Sequence, residues 1–263
     1  MTTVGIIGVG NMGEALLSGL LLAGTPKRDV IFAQRSDERA TYISERYGIS
    51  RKPLSTVAAA DVVILAVKPK DIAAMCGEIK GHLRAGSALV SVAAGKTIEG
   101  IQSIVGPDIA VIRVMPNTPT SIGSGAAGIS RGEGVSETQI SFVKKFLEAS
   151  GIVVEVPENL QSAITATSGS GPAYFFAFVE AMVEGGKKLG LTEEVATKLT
   201  IQTIVGAAGM LENSGKSARE LRENVTSPNG TTFAALSKFN EMGLTQMVEA
   251  AMAASAKRSQ ELA

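Results

Sequence analysis

Residues 4–13, Val-Gly-Ile-Ile-Gly-Val-Gly-Asn-Met-Gly, constrain this chain more than any others. An apolar strand over 4–9 runs straight into the spacing G-x-G-x-x-G, and a helix with an apolar stripe follows from Asn11 to about residue 23. Each glycine has its own reason. Gly8 permits a tight strand-to-helix turn, Gly10 lets the backbone approach a pyrophosphate, and Gly13 lets the helix pack close to the strand. The start of that helix, at Asn11 and Met12, points free N–H groups and the positive end of the dipole at phosphate. Strand before and helix after favour a dinucleotide cradle over a glycine-rich turn with no ligand.

The residues that follow keep the same alternation. Apolar runs at 30–33, 62–67, 88–92, 110–115, 126–130 and 152–156 read as strands, with helices expected over 37–47, 71–82 and 136–149. The run Val-Val-Ile-Leu-Ala-Val at 62–67 suits a strand buried on both faces. The pattern predicts a Rossmann-type, doubly wound α/β sheet, mostly parallel, with helices on both sides. After Pro157 the strand signals stop. Helices are expected near 161–167, 173–189, 192–212, 217–224, 231–241 and 245–262, with breaks at 169–172, Gly190, 213–215 and 226–230. The chain therefore divides into an α/β nucleotide-binding domain over 1–159 and an all-helical domain over 160–263. Helices apolar over much of their girth, such as 201–210, must be covered, and a hundred-residue helical domain has little interior of its own. A second subunit is the expected cover, which makes the chain at least a homodimer.

Bulk properties narrow the partners. Lys+Arg and Asp+Glu balance at 25 each, so nothing electrostatic recommends nucleic acid or an anionic membrane. No apolar run is long enough for a transmembrane helix. Residues 16–24 are apolar but lack a basic leader and lie inside the glycine motif, so no signal peptide is expected. The single cysteine, Cys76, fits a reducing cytoplasm and reads as a small apolar residue on a helix. No metal is expected.

The end of the second strand reports on the nucleotide. An acidic residue there would hold the ribose 2′-hydroxyl of NAD, but this strand ends in Gln34-Arg35-Ser36. Arg35 can make charge-assisted bonds to a 2′-phosphate and Ser36 can donate another, which points to NADP(H). Asp37 and Glu38 suit the first turn of the next helix.

Ligands sit beyond the carboxyl ends of parallel strands. Ala66-Val67-Lys68-Pro69 and Val92-Ala93-Ala94-Gly95 are two such ends, and their small residues let a flat ring approach the backbone. Lys68 suits either an anion or a helix-flanking surface position. Arg113 to Pro119 form a third end, where Asn117 either faces the cleft or closes a turn. A proton-exchanging side chain is missing. The only histidine, His82, lies at an expected helix end, and Lys187 and Lys188 suit the dipole of theirs. A substrate arriving as a protonated imine needs no such group, because hydride can add once aligned.

Residues 224–232, Asn-Val-Thr-Ser-Pro-Asn-Gly-Thr-Thr, make a tight turn into a helix start. That arrangement serves equally as a small-carboxylate site or as an ordinary helix start. The run from Val225 to Leu236 resembles the C-terminal signature of pyrroline-5-carboxylate reductases. Ser168-Gly169-Ser170-Gly171-Pro172-Ala173-Tyr174 is similar to that family's Ser-Gly-Ser-Gly-Pro-Ala turn, and Ala66-Val67-Lys68-Pro69 and Met115-Pro116-Asn117-Thr118-Pro119 are similar to its nicotinamide-domain motifs. The likeness covers essentially the whole chain in the expected order.

The resemblance implies reduction of L-1-pyrroline-5-carboxylate to L-proline with NADPH. It implies that Thr232 hydrogen-bonds the ring nitrogen, and that Ser227 with the N–H groups of Gly230 and Thr231 holds the carboxylate. Asn224, Val67, Lys68, Ala93 and Ala94 would lie along the cofactor. It also implies interlaced dimers whose subunits share the active site, which allows the loop at 226–232 to serve the partner's cofactor. Asn229 stands where many members have a second glycine; Asn tolerates the left-handed backbone better than most residues. Gln34 replaces a more usual Asn or Ser, which keeps NAD(H) as a second nucleotide beside NADP(H). The rival readings are a β-hydroxyacid-type dehydrogenase, for which the Lys-x-x-Asn pattern after Lys187 is absent, and an NADP(H)-sensing dimer without turnover.

Overall fold

The structure, a computed structural model, describes residues 2–262. It separates into two compact units: the described residues up to Pro172 together with those from Ala254 on, and Ala173–Ala253.

The first unit is built on eight strands: β1 (Val4–Ile7), β2 (Val30–Ala33), β3 (Ser50–Arg51), β4 (Val62–Leu65), β5 (Ala88–Ser91), β6 (Ala110–Met115), β7 (Gly125–Arg131) and β8 (Gly151–Glu155). They form one sheet in the order β3-β2-β1-β4-β5-β6-β7-β8. Every pairing is parallel except β6 with β7. The helices are α1 (Asn11–Leu22), α2 (Asp37–Tyr47), α3 (Leu54–Ala58), α4 (Ile72–Ile79), α5 (Ile98–Val105), α6 (Glu137–Glu148) and α7 (Gln161–Ile164), the last running on into a π-helical turn at Thr165–Gly169.

The two-residue period of each strand divides its side chains between two cores. Val4, Ile6, Val62 and Ile64 join Leu16, Leu17 and Leu20 of α1 and Val143 and Phe146 of α6. Ile7, Val63 and Leu65 join Val57 of α3, Ile72 and Cys76 of α4 and Ile101 of α5. Burying each such side chain is worth about 1.5–3 kcal/mol relative to leaving it in water. Both faces are therefore covered, which is why the central strands read as unbroken apolar runs. The doubly wound, Rossmann-type architecture is as the sequence predicts.

The strand order reverses between β1 and β4, and that reversal opens a crevice at their carboxyl ends. Ile7 at the end of β1 is level with Ala33 of β2 and Leu65 of β4, so the residues after all three strands share one edge.

Three elements lie outside the sequence pattern: β3, α3 and α5. The antiparallel β7 follows from its link. Residues 116–124 are too few for the crossover that a parallel neighbour needs, so the chain turns back beside β6.

Helices α8 (Gly171–Lys188), α9 (Glu193–Asn213), α10 (Ala218–Asn224), α11 (Thr231–Glu241) and α12 (Leu244–Glu261) supply the second unit, apart from the first residues of α8 and the last of α12. Their boundaries follow local chemistry. Thr192 caps α9 through Val195 N–H, and Ser217 with Glu220 forms a capping box at α10. Only Ser170 separates the π-helical turn from α8, a narrower break than the expected 169–172. Within this unit Phe178 meets Phe239 at 6.3 Å between ring centres. Its described residues leave much apolar surface in water: Phe175 and Phe176 are 61% and 63% exposed, and Leu199, Ile201, Val205, Met210 and Met247 are exposed as well. No helix is long and apolar enough to cross a membrane among the described residues.

Candidate functional site

The glycine loop after β1 shows three different needs for glycine. Gly8 has φ +88°, and its N–H donates to the Ala33 carbonyl at 3.0 Å. A Cβ on Gly13 would overlap the Gly8 carbonyl oxygen, so α1 could not approach the loop. Gly10 is unlike both. Its φ is −67°, open to any residue, and an added Cβ would meet nothing within 4 Å. No conformational or packing reason inside the protein requires glycine at position 10. Beyond the mild N-cap preference for glycine over alanine, the reason left is a ligand that comes down onto the backbone, which is the requirement of a bound pyrophosphate. No side chain caps α1, and its first backbone bond is Glu14 N–H to the Gly10 carbonyl at 2.8 Å. The N–H groups of Asn11, Met12 and Gly13 thus begin a helix end suited to an anion.

Beyond Ala33 the chain turns away from the sheet. Gln34 Oε1 accepts from Val9 N–H at 3.2 Å, which ties the end of β2 to the glycine loop. Arg35 is exposed and lines the groove. Ser36 is the N-cap of α2, its Oγ accepting from Arg39 N–H at 3.3 Å, and its hydroxyl hydrogen is left to donate. Asp37 pairs with Arg51 on β3. Beside the loop, Glu14 is held by Arg39 and by the Tyr47 hydroxyl at 2.9 Å. Burial opposes ionisation of Glu14, yet the bonds from Tyr47 and Arg39 hold its carboxyl below the ordinary value. Burial and the same Glu14 contact push the Tyr47 phenol up to about 12. Arg39 also donates from Nε to the Val9 carbonyl at 2.7 Å, so this cluster braces the loop from behind.

The other strand ends complete one groove of about 1680 Å³. Gly8, Gly10, Asn11 and Met12 line it, with Ala66, Val67, Lys68 and Pro69 after β4, Ala93 and Ala94 after β5, and Asn117 after β6. Gly13 and Ser36 support the walls without lining them. Asn117 lies on the groove, but both ends of its amide are engaged: Oδ1 accepts from Ala126 N–H at 2.9 Å and Nδ2 donates to the Ser168 carbonyl at 3.1 Å. It joins the start of β7 to the π-helical turn. Arg113, also at this strand, faces away. It is buried and paired with Glu158 at 3.0 Å, and the same Glu158 oxygen accepts from Ile98 N–H at 2.7 Å at the start of α5.

In the second unit, residues 224–232 form their own constellation. Gly230 N–H donates to the Ser227 carbonyl at 3.0 Å, closing a turn with Pro228 second and Asn229 third. Asn229 has φ +54°, the only positive value on a non-glycine residue among those described. That is the left-handed third position of a type II turn, normally glycine or asparagine. Gly230 then begins α11 without a side-chain cap, and Thr231 and Thr232 open the helix. A Cβ on Gly230 would overlap Ser227 Oγ, so the Ser227 hydroxyl stands over the helix start. Thr232 is half-buried, and Asn224 closes α10.

Of the groups ordinarily used for proton exchange, Tyr47, Lys52 and Lys68 line the groove, while His82, Lys187 and Cys76 are otherwise engaged or placed. His82 is exposed in a turn after α4. Lys187 is paired with Glu184 at 2.8 Å and Glu193 at 3.2 Å. Cys76 is buried, which pushes its thiol up to about 11. Sequence reasoning missed Arg51, Lys52, Pro53 and Leu54, which also line the groove. They reach it only because the two-residue strand β3 pairs beside β2, and no apolar alternation marks that strand.

Two family models match the chain: pyrroline-5-carboxylate reductase dimerisation over residues 158–262, and NADP oxidoreductase, coenzyme F420-dependent, over residues 3–95. A pyrroline-5-carboxylate reductase of Corynebacterium melassecola is 42% identical, across all of this chain and 99% of that one. The solved pyrroline-5-carboxylate reductase of Coxiella burnetii is 36% identical, with a TM-score of 0.93 over 100% of this chain and 98% of that one. The pyrroline carboxylate reductase of Plasmodium falciparum, solved with NADP bound, is 28% identical, with a TM-score of 0.89 over 99% and 98%.

Proposed function

The chain belongs to the pyrroline-5-carboxylate reductase family, and from that premise we infer its chemistry: it reduces pyrroline-5-carboxylate to proline with NADP(H) as the redox partner. The observation that carries the nucleotide half is Gly10, a glycine that neither its φ nor its packing requires. When bound, the reduced nicotinamide supplies the hydride that saturates the imine carbon. Everything else is the work of this chain's residues.

The amides from Gly10 to Gly13 hold the pyrophosphate, and Arg35 with Ser36 takes the 2′-phosphate. Ala66, Val67, Pro69, Ala93 and Ala94 are small or flat and leave room for the nicotinamide ring, with Lys68 and Asn224 along the cofactor. Asn117 acts through the turn it holds. For the substrate, the Ser227 hydroxyl and the N–H groups of Gly230 and Thr231 hold the carboxylate, where the α11 dipole favours negative charge. Thr232 hydrogen-bonds the ring nitrogen and orients the imine. The protonated imine is already electrophilic, so alignment replaces a general acid. Cys76 is buried and Lys187 is tied to two carboxylates, so neither is placed to act as that acid.

Residues 1–159 serve as the nucleotide domain and 160–263 as the helical substrate-binding and dimerisation domain. A homodimer covers the apolar helices, Phe175 and Phe176 among them. The cytoplasm is the compartment that the lone cysteine suits. NAD(H) is a second, weaker redox partner.

The test is loss of NADPH absorbance when pyrroline-5-carboxylate is added to the purified protein, repeated with NADH. Thr232→Ala is expected to lower kcat about a hundredfold, the cost of one hydrogen bond to charge at the reacting centre, while the Kd for NADPH stays within twofold. Unchanged turnover removes Thr232 from the mechanism.

A further inference from the structure

We propose that Lys52, on the third strand's exit, is a second cation that with Arg35 grips the nucleotide's 2′-phosphate and sets the preference for NADP(H) over NAD(H). The proposal rests on the reading that the groove holds this nucleotide.

The placement comes from the sheet. β3 runs parallel beside β2 with Arg51 level with Phe32, and Lys52 N–H donates to the Phe32 carbonyl at 2.9 Å. Lys52 therefore leaves the edge strand just where β2 runs out toward Gln34 and Arg35, and all three residues line the one groove.

The other cations at this end are already matched. Arg46 lies 3.4 Å from Glu14 and its guanidinium covers the rings of Tyr42 and Tyr47 at 5.6 and 5.4 Å. Arg39 is paired with Glu14, and Arg51 with Asp37. Arg35 and Lys52 make no ion pair among the described residues.

The anions are disposed to match. A fold that selects NAD needs a free carboxylate at the end of β2 for the ribose 2′-hydroxyl. Here Gln34 fills that position and turns its oxygen to Val9 N–H, while the first acid, Asp37, is neutralised by Arg51. Two uncompensated positive charges at one strand end favour a dianionic phosphate. The same two charges gain nothing from a plain hydroxyl.

The test is calorimetric titration of the full-length protein with NADP⁺, NAD⁺ and adenosine 2′,5′-bisphosphate, for wild type, Lys52→Gln and Lys52→Arg. Loss of one exposed charge-assisted contact predicts about tenfold weaker binding of NADP⁺ and the bisphosphate to Lys52→Gln. NAD⁺ affinity should stay within twofold of wild type, which also shows that the variant is folded, and Lys52→Arg should restore the bisphosphate. Equal weakening of NADP⁺ and NAD⁺, or no weakening of either in a protein that prefers NADP⁺, overturns the role of Lys52. A wild-type protein that does not prefer NADP⁺ overturns the reading of the groove, and the proposal with it.

Discussion

Gly10→Ala separates a ligand-driven glycine from a fold-driven one. The added methyl group meets no protein atom within 4 Å, and φ −67° is ordinary for alanine. Two small terms act on stability. Replacing glycine removes freedom from the unfolded chain and stabilises by about 0.4–1 kcal/mol. Alanine is a poorer N-cap than glycine, which costs a similar amount, on the order of 0.5–1 kcal/mol. The sum lies within about 1 kcal/mol of zero, roughly 2–4 °C in Tm for a chain of this size. Binding behaves differently. The methyl group occupies the approach of a pyrophosphate to the helix start, and loss of one charge-assisted backbone bond costs about 2 kcal/mol, close to thirtyfold in Kd. Gly13→Ala is the contrasting variant. Its Cβ would overlap the Gly8 carbonyl oxygen, so its damage should appear first in thermal unfolding. Scanning calorimetry and NADP⁺ titration of both variants read the difference. Wild-type affinity in Gly10→Ala refutes the argument that position 10 is kept clear for a ligand, and a large loss of Tm there refutes the open space described around it.

Two further expectations concern stability. Glu158→Gln leaves the buried guanidinium of Arg113 without its counter-charge. That should cost about 3 kcal/mol, or roughly 6–12 °C in Tm; a shift under 2 °C means that the pair contributes little. Glu14 gives a pH dependence of known sign. Its folded pKa lies below the ordinary glutamate value of 4.5, so its contribution is complete above that value and is lost as pH falls through the folded pKa. The Tm gap between wild type and Glu14→Gln should be constant from pH 7 to about pH 5 and narrow below it; a gap that widens on acidification contradicts the assigned bonds.

What could be read from the sequence follows the physics of burial. Strands covered on both faces, such as β4 and β5, leave continuous apolar runs, and the glycine loop carries its own spacing. β3 could not be read because two residues, Ser50 and Arg51, make a strand by backbone pairing alone. The eight-residue α5 carries Gly100 within it and Gly106 after it, which hides a helix that Thr97 and Glu158 cap. Lys52 was invisible for the same reason as β3, since only strand pairing brings it to the end of β2. Asn117 was legible as a polar residue near the cleft, but the two bonds that occupy its amide join residues distant in the chain. The turn at 227–230 was legible because its chemistry is local: proline second and asparagine third anticipate the positive φ that is observed.

The sparse interior of the helical unit has a consequence for handling the protein. Between 173 and 253 only Ala196 and Thr200 are buried among the described residues. A segment with so little inside it draws its cohesion from whatever covers its flanks, and if that cover is another copy, mass action enters its folding. Melting points measured on dilute and on concentrated samples would then differ, and enzyme stocks would lose strength on dilution before any chemistry fails.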